Sequence, residues 1–111
     1  MDISTAGATI PAMDFDTLKS IIESHRDELR ELGVRRVRVF GSVARGEATE
    51  TSDVDLIVDT IEGTSLFRWG DIHNHLTDWI GSRVDIVEPE SVAGRLATEV
   101  WSDARDVAQI D

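Results

Sequence analysis

The sequence predicts an α/β fold in which a small three-stranded sheet is flanked by helices. Three observations predict it. Three short apolar runs, around Val37, Leu56 and Val84, have the length of strands. The stretches around them carry apolar residues every three or four positions, as on one face of a helix. Strand-like and helix-like segments alternate along 111 residues, enough for one domain with its sheet covered by helices.

Taken in order, residues 1–13 are small and polar with no period and predict a loose N-terminal tail. Residues 14–111 then form a single domain. Phe15, Leu18, Ile22, His25, Leu29 and Leu32 predict one helix, with Asp14 as N-cap and Gly33 as the left-handed stop. Val34 to Phe40 alternates, Val37 and Val39 on one face and Arg36 and Arg38 on the other, which predicts a strand. Gly41-Ser42 turns the chain into a short helical turn through Arg45, and Gly46 to Ser52 is loop. In the second strand Val54, Leu56 and Val58 face one way, and Asp53, Asp55, Ile57 and Asp59 the other. Ser65 caps a helix with the stripe Leu66, Trp69, Ile72 or His73, Leu76 and Ile80, ended by Gly81. Arg83 to Val87 is the third strand. Ser91 caps a last helix to about Ala108, burying Val92, Leu96, Val100, Ala104 and Val107.

Composition narrows the function. The formal net charge of −11 repels nucleic acid and anionic membranes, so neither is expected as a direct partner. No apolar run reaches the roughly 18 residues of a membrane span, no secretory signal pattern opens the chain, and cysteine is absent. The expected location is the cytoplasm. Lys19 is the only lysine, against 22 acidic residues, a balance that suits a high-salt cytoplasm where screening tames self-repulsion.

The chemistry concentrates between Val37 and Asp59. Gly41-Ser42 is followed after ten residues by Asp53-Val54-Asp55. Side chains two apart on a strand point the same way, so Asp53 and Asp55 lie about 7 Å apart along it. Asp85 joins them if the third strand lies beside the second. Clustered carboxylates repel one another without cations, and oxygen-only ligands select hard ions, Mg²⁺ or Mn²⁺. Gly41 lets backbone approach a phosphate, Ser42 adds a donor, and Arg45 can pair with a phosphate oxygen. The parts suit a metal-bound nucleoside triphosphate attacked at its α-phosphorus. Gly-Ser or Asp-x-Asp alone is usually a turn or a solvated strand face. Their conjunction at this spacing arises by chance in on the order of one in a thousand chains of this length.

Gly41-Ser42-x10-Asp53-x-Asp55 resembles the signature of the nucleotidyltransferase superfamily that includes DNA polymerase β and kanamycin nucleotidyltransferase. The surrounding FGSVARGEATETSDVDLIV is similar to the minimal nucleotidyltransferase (MNT) family, over about Val34 to Ala108. The resemblance implies a nucleotidyltransferase fold, an αβαβαβ core with a mixed sheet. It implies that Asp53 and Asp55 bind two divalent metals, that Asp85 completes the site and helps activate the attacking hydroxyl, and that Gly41 and Ser42 hold the triphosphate. It further implies an antitoxin encoded beside a HEPN-family toxin, an RNase, which some members silence by transferring AMP from ATP to a tyrosine hydroxyl. A hetero-oligomer with that toxin is the implied assembly.

Two other functions remain compatible with the sequence: a non-catalytic module that blocks a HEPN ribonuclease stoichiometrically, and a small-molecule nucleotidyltransferase. His73 and His75 diverge on a helix, which predicts one half-buried and one exposed ring rather than a metal pair. Trp69, Trp79 and Trp101 are read as core or interface anchors, and Asp59 shares the face of the metal aspartates.

Overall fold

The computed structural model describes residues 12–110. The expected tail lies outside the described residues except for Ala12 and Met13, and Met13 packs against the core. The elements run α1 (Phe15–Ser24), α2 (Arg26–Glu31), β1 (Val34–Phe40), α3 (Gly41–Arg45), β2 (Val54–Thr60), α4 (Leu66–Ile80), β3 (Val84–Val87), α5 (Arg95–Asp103) and β4 (Arg105–Gln109), with a 3₁₀ turn at Pro89–Ser91.

The sheet is mixed, as expected, but has four strands rather than three, in the order β3-β2-β1-β4, because the C-terminal segment adds a strand at the β1 edge. β1 pairs antiparallel with β2 and β4, and β2 pairs parallel with β3. One face carries Val37, Val39, Leu56, Val58 and Val84, all buried, against Leu18, Ile22, Leu29, Ile72 and Leu76 from α1, α2 and α4. Helix periodicity at three to four and strand periodicity at two thus converge on one apolar layer. On the other face α5 packs against α3 and β1. There the Arg38 guanidinium sits 5.1 Å from the centre of the Trp101 ring and bonds Asp59 at 3.1 Å.

The caps act as their residue types predict. Asp14 accepts from the Thr17 N–H at 2.7 Å and Ser65 from the Arg68 N–H at 3.1 Å. Gly81 closes α4 with φ +76.

Three further expectations are corrected. The first helix breaks at His25, which leaves helical geometry and stacks its ring on Trp79 at 4.0 Å, 5° from parallel. Leu66 is 85% exposed, so the buried stripe of α4 is Ile72, Leu76 and Ile80. The last helix starts at Arg95, with Gly94 rather than Ser91 at its N-cap, and stops at Asp103 rather than Ala108, and the chain continues as β4. There Val107 and Ala108 are buried by pairing with β1 instead of by helical packing, and Leu96 stays exposed. The free edge of β1 offers main-chain hydrogen bonds that a continued helix would leave unpaired.

Candidate active site

The site forms where β1 ends and β2 and β3 begin. Since β1 runs antiparallel to β2 and β2 parallel to β3, Phe40 pairs with Asp55 and Asp55 with Asp85. In-register neighbours share a face. Asp55 and Asp85 therefore stand side by side opposite the helical core, with Val54 and Val84 turned into it. Asp53 precedes β2 by one residue, and the Val54 N–H bonds the Arg83 carbonyl at 2.9 Å, tying the starts of β2 and β3 together.

Gly41 makes the approach between α3 and β2 possible. Its φ is +72, and a β-carbon there would stand 2.6 Å from Asp55 Oδ2. Only glycine meets both conditions without strain. Among the described residues no side chain caps the N-terminus of α3, and Ser42 lies half-buried in its first turn. Arg45, in the last turn, bonds Glu47 at 2.9 Å and Asp103 of α5 at 2.7 Å.

The electrostatics bind these parts together. Burial pushes the Asp55 carboxyl above its ordinary value, and the negative charges of Asp85 and Asp53 push it the same way, while the positive charge of Arg45 opposes them. A cation among the carboxylates would relieve that repulsion, and the donors are oxygen alone. The residue set therefore fits a hard divalent cation. Among the described residues the carboxylates do not close on one point as a three-ligand set. Asp53 instead stands 3.8 Å from Arg83 Nε.

The sequence-predicted residues are thus gathered at one end of the sheet: Gly41, Ser42, Asp53, Asp55 and Asp85, with Arg45 one helical turn away. Asp59 is engaged by Arg38, four residues along β2 from Asp55. His73 Nε2 lies 2.8 Å from the Val84 carbonyl and His75 Nδ1 2.8 Å from the Asp71 carbonyl, so neither joins the site. Sequence reasoning missed Asp103, the α5 partner of Arg45. No local motif marks it, because only the packing of α5 on α3 brings the two together.

The sequence model of the nucleotidyltransferase domain family matches residues 22–106. The protein adenylyltransferase MntA of Thermococcus cleftensis is 42% identical over 89 residues, 79% of this chain and 90% of that protein. A solved minimal nucleotidyltransferase is 43% identical, with a TM-score of 0.70 over 84% of this chain and 95% of that one. A toxin–antitoxin crystal structure with AMP-PNP shares the fold, with a TM-score of 0.65, 20% identity, and coverage of 82% of this chain and 73% of that one.

Proposed function

The chain belongs to the nucleotidyltransferase domain family, within it to the minimal nucleotidyltransferases, and from that premise we propose that it transfers AMP from ATP to a hydroxyl of a HEPN-family toxin, acting as its antitoxin. The observation that carries the reading is the seating of Gly41 against Asp55, with Asp85 in register beside it. The name of the MntA relative supports AMP as the transferred group, and the family resemblance supports a tyrosine as acceptor.

In this reading the backbone at Gly41 and the Ser42 hydroxyl hold the β- and γ-phosphates. Arg45 reaches the same phosphates by exchanging its carboxylate partners for phosphate oxygens. Asp53, Asp55 and Asp85 would hold two Mg²⁺ ions, or Mn²⁺, which when bound neutralise the charge that develops on the entering and leaving oxygens. The acceptor oxygen bonds to the α-phosphorus, its proton passing to Asp85. The bond from that phosphorus to the bridging oxygen breaks, and pyrophosphate leaves with the electron pair.

The test is the intact mass of the HEPN-family protein encoded beside this chain, after incubation with the chain, ATP and Mg²⁺. The expected result is a gain of one or more AMP units, absent with the Asp53→Asn, Asp55→Asn double variant. No gain, with the partner's RNase activity still silenced, would replace the transferase by a stoichiometric inhibitor.

A further inference from the structure

We propose that the open cavity beside Asp53 is the docking groove for the acceptor segment, and that Arg83 positions that segment. The inference rests on the transferase reading above and goes beyond it by placing the acceptor. The cavity measures about 360 Å³ and is lined by residues 50–53 and 81–83, within the range of roughly 300–1,000 Å³ typical of binding pockets.

Its position follows from the direction of displacement. In phosphoryl transfer the entering and leaving oxygens lie roughly in line on opposite sides of phosphorus. At this end of the sheet α3 packs over β1 and β2, with β3 on the far side of β2. If pyrophosphate leaves over Gly41 and Ser42, the acceptor enters from the β3 side. Asp85 stands there on the edge strand, and the cavity opens beside Asp53.

The lining is prepared for a ligand. Ser52 Oγ accepts from the Thr49 N–H at 2.8 Å, so the loop forming one wall is held by its own bonds. On the other wall a β-carbon on Gly81 would meet nothing within 4 Å. Arg83 is held more loosely than its counterparts. Arg36, Arg38 and Arg45 bond carboxylates at 2.7, 3.1 and 2.7 Å. Arg83 is 79% exposed and reaches Asp53 only at 3.8 Å, a contact that contributes little. Its guanidinium can turn to a new acceptor without leaving a strong pair. The groove accordingly suits an extended segment of a folded partner, with a main-chain carbonyl on Arg83, a basic side chain near Glu50, and the hydroxyl directed at Asp85.

The experiment uses the full chain, Mg²⁺ and the HEPN-family partner, and compares wild type with Arg83→Ala, Arg83→Lys and Ser82→Trp. Ser82→Trp adds bulk to the groove lining and leaves the Arg83 and Asp53 side chains themselves unchanged. Affinity for AMP-PNP with Mg²⁺, affinity for the partner, and kcat and KM for transfer are measured. The expected result is AMP-PNP affinity within about twofold of wild type throughout. Partner Kd and transfer KM rise about tenfold in Arg83→Ala and Ser82→Trp, with partial recovery in Arg83→Lys. Wild-type partner affinity and KM in both variants would overturn the inference, as would a loss of AMP-PNP affinity equal to the loss for the partner. If the wild-type chain transfers nothing, the transferase reading falls, and the partner affinity of Ser82→Trp still decides the groove.

Discussion

Gly41 and Asp55 touch where no other residue could stand in for the glycine. A β-carbon at position 41 would lie 2.6 Å from Asp55 Oδ2, in a backbone conformation of φ +72. Because Asp55 is short, it can escape only by rotating its carboxylate out of its present position.

Gly41→Ala should therefore lose far more activity than stability. The control is Gly46→Ala, which has φ +73 and nothing within 4 Å of its added carbon. Both variants pay the left-handed strain of about 1–2 kcal/mol. Only Gly41→Ala displaces Asp55, so its transfer rate should fall at least about 100-fold while Gly46→Ala stays within about threefold. Urea unfolding and AMP transfer, measured on both, separate the two effects.

Asp55→Asn should abolish transfer and stabilise the metal-free protein. Folding raises the Asp55 pKa from 3.8 through burial and its acidic neighbours. The folded chain then binds the proton more readily than the unfolded one, so this group's contribution is present below pH 3.8 and is lost as pH rises through the folded value. At neutral pH the charge opposes folding. In EDTA at about pH 7 the Tm of Asp55→Asn should exceed wild type by about 2 °C or more, and the difference should vanish in acid.

β4 should be held by apolar residues, including the Ile110 that follows it, more than by its ion pairs. Ile110 is fully buried, and its N–H bonds the Arg35 carbonyl at 2.8 Å. Ile110→Ala should cost about 2–4 kcal/mol in urea unfolding. Asp106 makes a two-pronged pair with Arg36 at 2.7 and 2.8 Å, but both side chains are partly exposed. Asp106→Ala should cost less than about 1 kcal/mol.

Salt should raise stability. The formal charge is −11, and screening at about 1 M shortens the reach of that repulsion to about 3 Å. The Tm should climb by several degrees, about 5 °C, between low salt and about 1 M KCl. A falling Tm would show that the local ion pairs outweigh the net charge.

Much of this fold is legible in the sequence because local signals and tertiary needs agree. Val34–Phe40 forms β1 with the expected bounds, and Asp14, Ser65 and Gly81 cap as their chemistry dictates. β4 is illegible for a physical reason. Val100, Ala104 and Val107 keep a helical spacing across Asp103, and only the open edge of β1 decides for a strand. The break at His25 is hidden in the same way, since no glycine or proline marks it and the stack on Trp79 is a distant contact. At the site, Gly41, Ser42, Asp53 and Asp55 stand out by their spacing, whereas Asp85 joins them only through the pairing of β3 with β2. The engagement of Arg45 by Asp103 and the near-approach of Arg83 to Asp53 depend on packing.

Under the proposed transfer reaction, the pairing of Asp55 with Asp85 makes strand alignment a variable of the chemistry. Alternation along β3 means that a slip of one residue would present Val84 or Ile86 beside Asp55 and turn Asp85 toward the helices. Loss of one residue from the Gly81–Arg83 turn invites that slip. The helices surrounding the sheet can drift in sequence and length, whereas the count of residues in this short turn cannot change without moving a carboxylate to the wrong side of the protein.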